Sequence, residues 1–312
     1  MPIHRRAAST PPRLVSTLIA AAIAAAAPGA ARTAGLSAPA SVAATTLDRI
    51  DVVARAPQDP RVRAESVSAL DAAALDRLSP THSNEALSRV PGAWASRGSG
   101  QEQLLAIRSP VLTGPGGCGS FLVLDDGVPI RPAGFCNVNQ LNELNLAQAA
   151  RVEVLRGPGS AVHGSNALHG VVAVQPRRPG DGDGLRLELG SDAYRRVLVG
   201  MDDAGARVRL EANAVDAGSF RADEGYRQQQ LGAQWQPGRD DATRLALSVN
   251  RLRQDTAGFA FGEGAWRDAR RFGNQNPEAF READGLRLVL HHRRPLGGGE
   301  LLLRPYARDE SQ

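Results

Sequence analysis

The sequence predicts an α+β domain followed by a run of antiparallel strands, and three observations support this. Residues 58–180 mix short helical and strand-like segments. A glycine-rich stretch, residues 151–174, closes that part of the chain. From residue 184 onward, apolar and polar residues alternate with a period of two between Gly/Asp-rich turns. Because this period is typical of strands with one polar and one apolar face, we expect two differently built regions, 58–180 and 184–312.

The composition argues against a nucleic-acid-binding protein. The chain has 312 residues, a formal net charge of +4 and 42% hydrophobic residues, enough for a substantial core. All 37 basic side chains are arginines, and they are interleaved with Asp and Glu along the chain. Nucleic acid requires a clustered basic face, which this distribution does not provide.

Residues 1–31 have the layout of a secretory signal peptide. Arg5, Arg6 and Arg13 precede an apolar run, Leu14–Ala27, and small residues follow. The run is too short to cross a bilayer as a helix. A mitochondrial-type presequence or a soluble helix is the alternative, and cleavage is expected somewhere in 27–44.

Residues 32–57 are predicted to be a flexible segment that contains one short strand. Most of it consists of small and polar residues, but Asp51, Val52, Val53 and Ala54 form the centre of a short apolar run. Such an extended run can pair edge-on with the sheet of a partner protein through backbone hydrogen bonds.

The first half of the α+β domain contains two helix signals. Asp71 is expected to cap a helix over Ala72–Leu78, and Asn84 one over Glu85–Val90 that Pro91-Gly92 ends. Strands are expected on either side of these helices, at Glu65–Ser68 and Gln103–Arg108.

The second half predicts three more strands around an acidic turn. Phe121–Leu124 is an apolar strand, and the turn Asp125-Asp126-Gly127 after it is expected to hold solvated carboxylates. A helix is predicted over Leu141–Ala150. Two strands, Val152–Leu155 and Val171–Val174, then flank a stretch that is too glycine-rich for a helix and must turn tightly several times.

This last stretch carries a family resemblance. Glu153–Pro158 reads E-V-L-R-G-P and is followed by a glycine-punctuated segment and an apolar strand, so the region resembles the end of the plug domain of TonB-dependent outer-membrane receptors. His163 and His169 replace the Tyr and the first paired Gly of that pattern. Ile107-Arg108 matches the family's I-R-G except for Ser109, and NEALSRVPGAW resembles the plug's helix and next strand.

The resemblance implies a partner and a cargo. Asp51–Ala54 would be the TonB box that pairs with the energy-coupling protein TonB. The cargo would be a ferric siderophore or a similar large, scarce nutrient, with carbohydrate and cobalamin left open. The location would be the cell outer membrane, in contact with its lipid.

The resemblance also implies roles for particular plug residues. Arg108, Glu153 and Arg156 would face carboxylates of the barrel wall and hold the plug in place; pairing within the plug is the alternative. Four residues lie in loops that would form the plug's outer apices and touch substrate: Thr113, Arg131, Phe135 and Asn137.

The two cysteines, Cys118 and Cys136, predict a disulfide because an even pair in an exported chain is usually bridged. A metal site formed with His163 and His169 is the alternative, but the pair lacks the short ligand spacing of structural zinc sites. No metal or other cofactor is therefore expected.

The alternating region, 184–312, suits either a soluble sandwich or a membrane barrel, and two features favour the barrel. Ten of the 13 aromatic residues fall here, and the polar face is unusually charged. About seven strands are expected, too few to close around a plug. We therefore expect an N-terminal piece of a receptor, either a truncated gene product or a fragmentary record.

No enzyme motif is present in the sequence. Gly114, Gly116 and Gly119 fit G-x-G-x-x-G formally, but the strand Phe121–Leu124 follows where a dinucleotide site needs a helix. The sequence thus predicts a transport receptor and not an enzyme. A non-transporting exported binding module, or a decayed receptor remnant, is the alternative.

Overall fold

A computed structural model describes residues 66–111, 121–130, 140–164, 166–203, 205, 207–238, 242–256, 267, 269–296 and 299–312. The predicted signal peptide and the segment 32–57 lie outside these ranges. None of the helices within them is long and apolar enough to cross a membrane.

The first helix of the N-terminal domain, α1, spans Ala72–Leu78, as predicted. The Asp71 carboxylate accepts a hydrogen bond from the Ala74 amide at 2.8 Å, which confirms it as the N-cap. The helix ends where Ser79 adopts a left-handed conformation (φ +43°).

The second helix, α2, is shorter than predicted and has a different cap. It spans Ser83–Leu87, and Nδ1 of His82 accepts from the Asn84 amide at 3.1 Å. The predicted cap, Asn84, lies inside the helix, and its side chain donates to the Ala95 carbonyl at 2.7 Å. The prediction was wrong because Asn84 has a tertiary partner, while a buried histidine performs the capping.

Two further helix predictions are corrected. The helix expected over Leu141–Ala150 is instead two 3₁₀ turns, Gln140–Glu143 and Leu146–Gln148. The carbonyl of Asn142, in the first of these turns, accepts hydrogen bonds from side chains of the other sheet of the molecule, and this bonding competes with an α-helical ladder. Conversely, the stretch judged too glycine-rich for a helix contains one turn of helix, α3, Ser160–His163.

Within the ranges given above, the N-terminal domain has seven strands: β1 Val67–Asp71, β2 Ala93–Arg97, β3 Gln103–Ile107, β4 Phe121–Asp125, β5 Val128–Pro129, β6 Ala149–Arg156 and β7 Gly170–Pro176. Five of them form one sheet in the order β1-β6-β7-β4-β5, with β4 parallel to β7, while β2 and β3 form a hairpin. The strands predicted around residues 103, 121, 152 and 171 are confirmed, and β1 lies two residues beyond its expected start.

The core of this domain lies between the sheet and its helices. It contains fully buried aliphatic side chains from α1, α2 and four of the strands: Leu75, Leu87, Ile107, Val123, Val154 and Val172. Burial of such side chains contributes about 1.5–3 kcal/mol each. The domain is thus a packed unit that positions its turns rigidly.

The remaining strands form one antiparallel sheet of eight: β8 Gly184–Leu189, β9 Arg195–Asp203, β10 Val208–Gly218, β11 Gly225–Trp235, β12 Thr243–Asp255, β13 Phe280–Leu296, β14 Gly299–Leu303 and β15 Tyr306–Ser311. Strands β8 to β14 follow chain order, and β15 pairs with β13 beside β14. The count exceeds the expected seven because Arg304-Pro305 divides one predicted strand in two; proline lacks the N–H that a ladder needs. The sheet does not close within the described residues.

The two faces of this sheet are the reverse of those in a soluble protein. On β10, Arg209, Glu211 and Asn213 are buried against the N-terminal domain, while Leu210 points outward. On β8, the outward leucines 185, 187 and 189 are 70%, 68% and 88% exposed. The charged face is therefore inside and the apolar face outside, as in a sheet that meets lipid.

Candidate functional site: the plug–wall contact

The eight-stranded sheet forms a wall against the N-terminal domain, and an acidic turn, Asp125–Gly127, lies at their contact. The turn links β4 to β5, and the Asp126 amide donates to the Val174 carbonyl at 2.9 Å. Asp126 and Gly127 both have positive φ, +54° and +73°. A Cβ on Gly127 would lie 1.9 Å from Arg304 Nη1, so a larger residue here would have to displace that guanidinium and also adopt a left-handed backbone.

Asp126 is bound by two wall residues that face each other across β12 and β13. Arg244 donates from Nη2 to Oδ1 at 2.6 Å and from Nη1 to Oδ2 at 2.8 Å. His291 Nε2 lies 2.8 Å from Oδ2. Because His291 Nδ1 accepts from Arg304 Nε at 3.2 Å, the ring proton is on Nε2 and is donated to Asp126.

The two neighbouring plug-side carboxylates are also paired with wall arginines. Asp125 contacts Arg287 directly. Glu143, in the first 3₁₀ turn, accepts both of its contacts from Arg308 Nη2, at 2.9 and 3.2 Å. Arg308 also donates to the Pro129 carbonyl at 3.2 Å, which ties it to β5.

The pKa values of the three carboxyl groups are shifted in different directions. Burial raises the pKa of Asp126, but Arg244 and His291 together outweigh it and hold this pKa far below its usual range. Burial raises the pKa of Asp125, because Arg287 offsets only part of the effect. Burial also raises the pKa of Glu143, to about 7, despite its pairing with Arg308.

Uncharged amides continue the contact on the wall. The Asn142 carbonyl accepts from Gln228 Nε2 at 2.5 Å and from Gln230 Nε2 at 3.0 Å, and its side-chain oxygen accepts from Asn250 at 3.2 Å. All of these side chains are buried. Buried amides need partners, so separating the two surfaces would leave several of them unsatisfied.

Two further side chains of the wall, on β9 and β12, make hydrogen bonds to the backbone of the N-terminal domain. Arg196 on β9 donates to the carbonyls of Ser79 and Pro80 at 2.9 and 3.1 Å. Gln254 on β12 accepts from the Gln101 amide at 2.7 Å and donates to the Ser99 carbonyl at 3.1 Å. The wall therefore binds the N-terminal domain mainly through polar side chains, and one apolar contact joins Val128 on β5 to Ala246 and Val289 on the wall.

A cavity of about 70 Å³ remains between the two surfaces. Its lining mixes apolar residues with polar ones, among them Glu143, Gln148, Gln230, Arg287 and Arg308. A cavity of this size has room for water beside its polar groups. Among the described residues, no group of three or more His, Cys, Asp or Glu side chains could hold a metal ion.

The three charges predicted to hold the plug have partners inside the N-terminal domain. Arg108 donates to Ser66 Oγ at 3.3 Å and to the Arg156 carbonyl at 3.5 Å, and Arg156 donates to the Pro91 carbonyl at 2.7 Å. Glu153 pairs with Arg151 at 2.6 Å. Their role toward the wall stays a prediction.

The other predicted site residues lie outside the described ranges. These are the strand-pairing segment Asp51, Val52, Val53 and Ala54, the cysteines Cys118 and Cys136, and the substrate-loop residues Thr113, Arg131, Phe135 and Asn137. Their roles and the disulfide also stay predictions.

Asp125 and Asp126 were not predicted to be site residues. Solvated carboxylates were expected in this turn, but the two side chains are only 14% and 12% exposed and face wall arginines. The signal was present as two adjacent carboxylates in a tight turn, within a chain whose later strands are rich in arginine. Their partners are more than a hundred residues away and could not be assigned from spacing.

Comparison with known proteins identifies the N-terminal domain. Residues 59–171 match the model of the TonB-dependent receptor plug domain. The N-terminal domain is therefore a plug domain of the TonB-dependent receptor family. The plug therefore lies against a portion of the receptor barrel, and the predicted fold class, an α+β plug followed by antiparallel barrel strands, is confirmed.

Solved receptors share this fold across both regions. The ferric citrate transporter FecA, unliganded, aligns over 80% of this chain and 40% of its own, with a TM-score of 0.62 and 17% identity. FpvA of P. aeruginosa, bound to heterologous pyoverdines, aligns over 79% of this chain and 34% of its own (TM-score 0.60, 18% identity). The ferric yersiniabactin uptake receptor FyuA from Yersinia pestis aligns over 79% and 41% (TM-score 0.59, 13% identity).

The chain thus spans well under half the length of these receptors. TonB-dependent receptors are outer-membrane proteins, which confirms the predicted location in the cell outer membrane. The outward apolar face of the wall agrees with that location.

Proposed function

We propose that this protein takes up a ferric siderophore, or a similar large and scarce nutrient, across the outer membrane in a step driven by TonB. The main observation behind the proposal is the contact between plug and wall. It is formed by three ion pairs: Asp125–Arg287, Asp126–Arg244 and Glu143–Arg308. A plug held mainly by ion pairs and amide hydrogen bonds, with one small apolar contact, can be separated from the wall by an external force. We expect no catalytic activity.

Two of the structurally similar receptors support the cargo class. FecA is described as a ferric citrate transporter and FyuA as a ferric yersiniabactin uptake receptor. The proposed partner is TonB, which would pair with Asp51–Ala54 by strand addition. Force applied there would reach the plug through its N-terminal strand, β1, whose whole length pairs with β6.

The test is uptake of radioactive iron supplied as citrate, catecholate or hydroxamate complexes by cells that lack their own receptors for these. Cells that express the protein should accumulate at least one complex, and only while TonB is present. Val52→Pro removes a backbone donor from the proposed strand pairing, so uptake should fall by at least tenfold. Val52→Ala keeps that donor and is the matched control, with uptake near the wild-type rate.

Two results would contradict the proposal. Uptake that is unchanged by Val52→Pro would remove the coupling role of residues 51–54. Protein recovered from the periplasm without detergent, with no uptake of any complex, would favour the non-transporting binding module.

A further inference from the structure

The wall concentrates positive charge on its inner face where the acidic turn contacts it. Arg287 on β13 is directly opposite Arg308 on β15, and Arg244 on β12 is directly opposite His291 on β13. Like charges in directly opposed positions of an antiparallel sheet, such as Arg287 and Arg308, repel each other. The three arginines therefore need anions to be stable, and together with the neutral His291 they are called the cationic cluster below.

Most of the anions come from the plug. Asp126 binds Arg244 and His291, Asp125 contacts Arg287, and Glu143 binds Arg308. The wall itself supplies Glu310, which contacts Arg308. When the acidic turn leaves, Arg244, Arg287 and His291 lose these carboxylates.

The acidic turn adjoins the most weakly held strand of the plug sheet. The strand after it, β5, is an edge strand and pairs with β4 through only two residue pairs. By comparison, β6 and β7 pair over their whole length. A movement that separates this edge from the wall disrupts few backbone hydrogen bonds.

The cluster also has donors that its present partners do not use. Nε of Arg287 and Nε of Arg308 are buried and make no hydrogen bond to any part of the chain that the structure describes. Both side chains line the cavity between plug and wall. The cluster can therefore bind more carboxylate oxygens than the plug provides.

We propose that the barrel wall contains an anion-binding site formed by Arg244, Arg287, Arg308 and His291. Its resident ligands are the plug's own carboxylates, and carboxylate groups of an anionic substrate occupy the same positions when the acidic turn withdraws. Bidentate arginine–carboxylate geometry, already present between Arg244 and Asp126, is the basis of recognition. The substrate part of this inference rests on the proposed function, and the binding part does not.

Chemical rescue in the detergent-solubilised protein tests the proposed anion-binding site. Asp126→Gly removes one carboxylate, keeps the positive φ that this position requires and leaves space in front of Arg244. We expect its melting temperature to fall. Sodium formate should restore at least about half of that loss by binding the folded state, whereas sodium chloride at the same ionic strength should not. Asp126→Gly combined with Arg244→Gln should show no rescue.

A second measurement covers the case in which Asp126→Gly does not fold. In the wild-type protein, citrate should compete for the cluster and increase hydrogen exchange of the Asp126 amide, and trimethyl citrate, which is uncharged, should not. Equal effects of formate and chloride on Asp126→Gly, or rescue that survives Arg244→Gln, would contradict the proposed anion-binding site. If Asp126→Gly does not fold, equal hydrogen exchange of the Asp126 amide with citrate and with trimethyl citrate would contradict it. Neither experiment involves TonB or uptake, so its result is independent of the proposed function.

Discussion

Arg244 of the wall and Asp126 of the plug form a two-point ion pair, at 2.6 and 2.8 Å, with side chains only 5% and 12% exposed. The residues are 118 positions apart and belong to different sheets. His291 completes the site of the carboxylate. Removing one partner of such a pair leaves an uncompensated buried charge, which gives the first prediction.

Asp126→Asn keeps the size of the side chain but removes its charge. We expect a loss of about 3–5 kcal/mol in the free energy of unfolding, because Arg244 then stays buried without its counter-charge. Urea unfolding in detergent micelles measures the loss. The matched control is Asp216→Asn, whose arginine partners Arg195 and Arg227 are exposed and which should cost less than about 1 kcal/mol. Equal losses in the two variants would contradict a special role for Asp126.

His82 makes the plug sensitive to acid. Burial, followed by the charge of Arg97, lowers its pKa from 6.5 to about 4, and its neutral ring caps α2. Because the folded-state pKa is below the unfolded one, the stabilisation is complete above pH 6.5 and is lost between pH 6.5 and pH 4. The total is about 3 kcal/mol at 1.36 kcal/mol per pKa unit.

The check is a comparison with His82→Asn, since asparagine caps helices well and does not titrate in this range. Between pH 6.5 and pH 4 the free energy of unfolding should fall for both proteins, and the fall should be about 3 kcal/mol smaller for the variant than for the wild type. Parallel curves for the two proteins would show that His82 is not the titrating group.

Glu143 is expected to act in the opposite direction. Its pKa rises to about 7, mainly through burial, so the folded plug binds a proton more tightly than the unfolded chain does. Stability should therefore increase as pH falls from 7 to 4.5, by about 3 kcal/mol. Glu143→Gln does not titrate, so the difference in unfolding free energy between wild type and this variant should change by that amount. A difference that is constant with pH would contradict the raised pKa.

The outer face of the wall should reject charge. Leu210 points outward on β10, where a soluble protein would tolerate a polar residue. Leu210→Arg should cost about 2–4 kcal/mol in lipid vesicles if it lies near the bilayer midplane, because arginine is then placed in hydrocarbon. Leu210→Ile conserves volume and should cost less than about 1.5 kcal/mol. A negligible cost for arginine would indicate that this face meets water.

Much of the fold could be predicted because it depends on local patterns. The period-two alternation after residue 184 gave the strands, and Asp71 gave the start of α1. The errors occurred where a distant partner decides local structure. Asn84 looked like a cap but bonds to Ala95, and the helix expected near residue 142 gives way to contacts with the wall.

The candidate site was only partly predictable for the same reason. Arg108, Glu153 and Arg156 were chosen from a family motif, and their described contacts lie inside the plug. Asp125 and Asp126, which do meet the wall, carry no motif. Their ion-pair partners depend on which wall strands lie against the acidic turn, and the local sequence does not determine how those strands are placed in space.

The sequence by itself determined the two regions, the alternation of faces along the strands and the plug resemblance, because each arises from residues close together in the chain. Only the tertiary structure decided which face of the wall is inside and which charges meet there. An alternating strand is compatible with either orientation, and an ion pair across 118 positions forms only when two separately folded sheets are brought together.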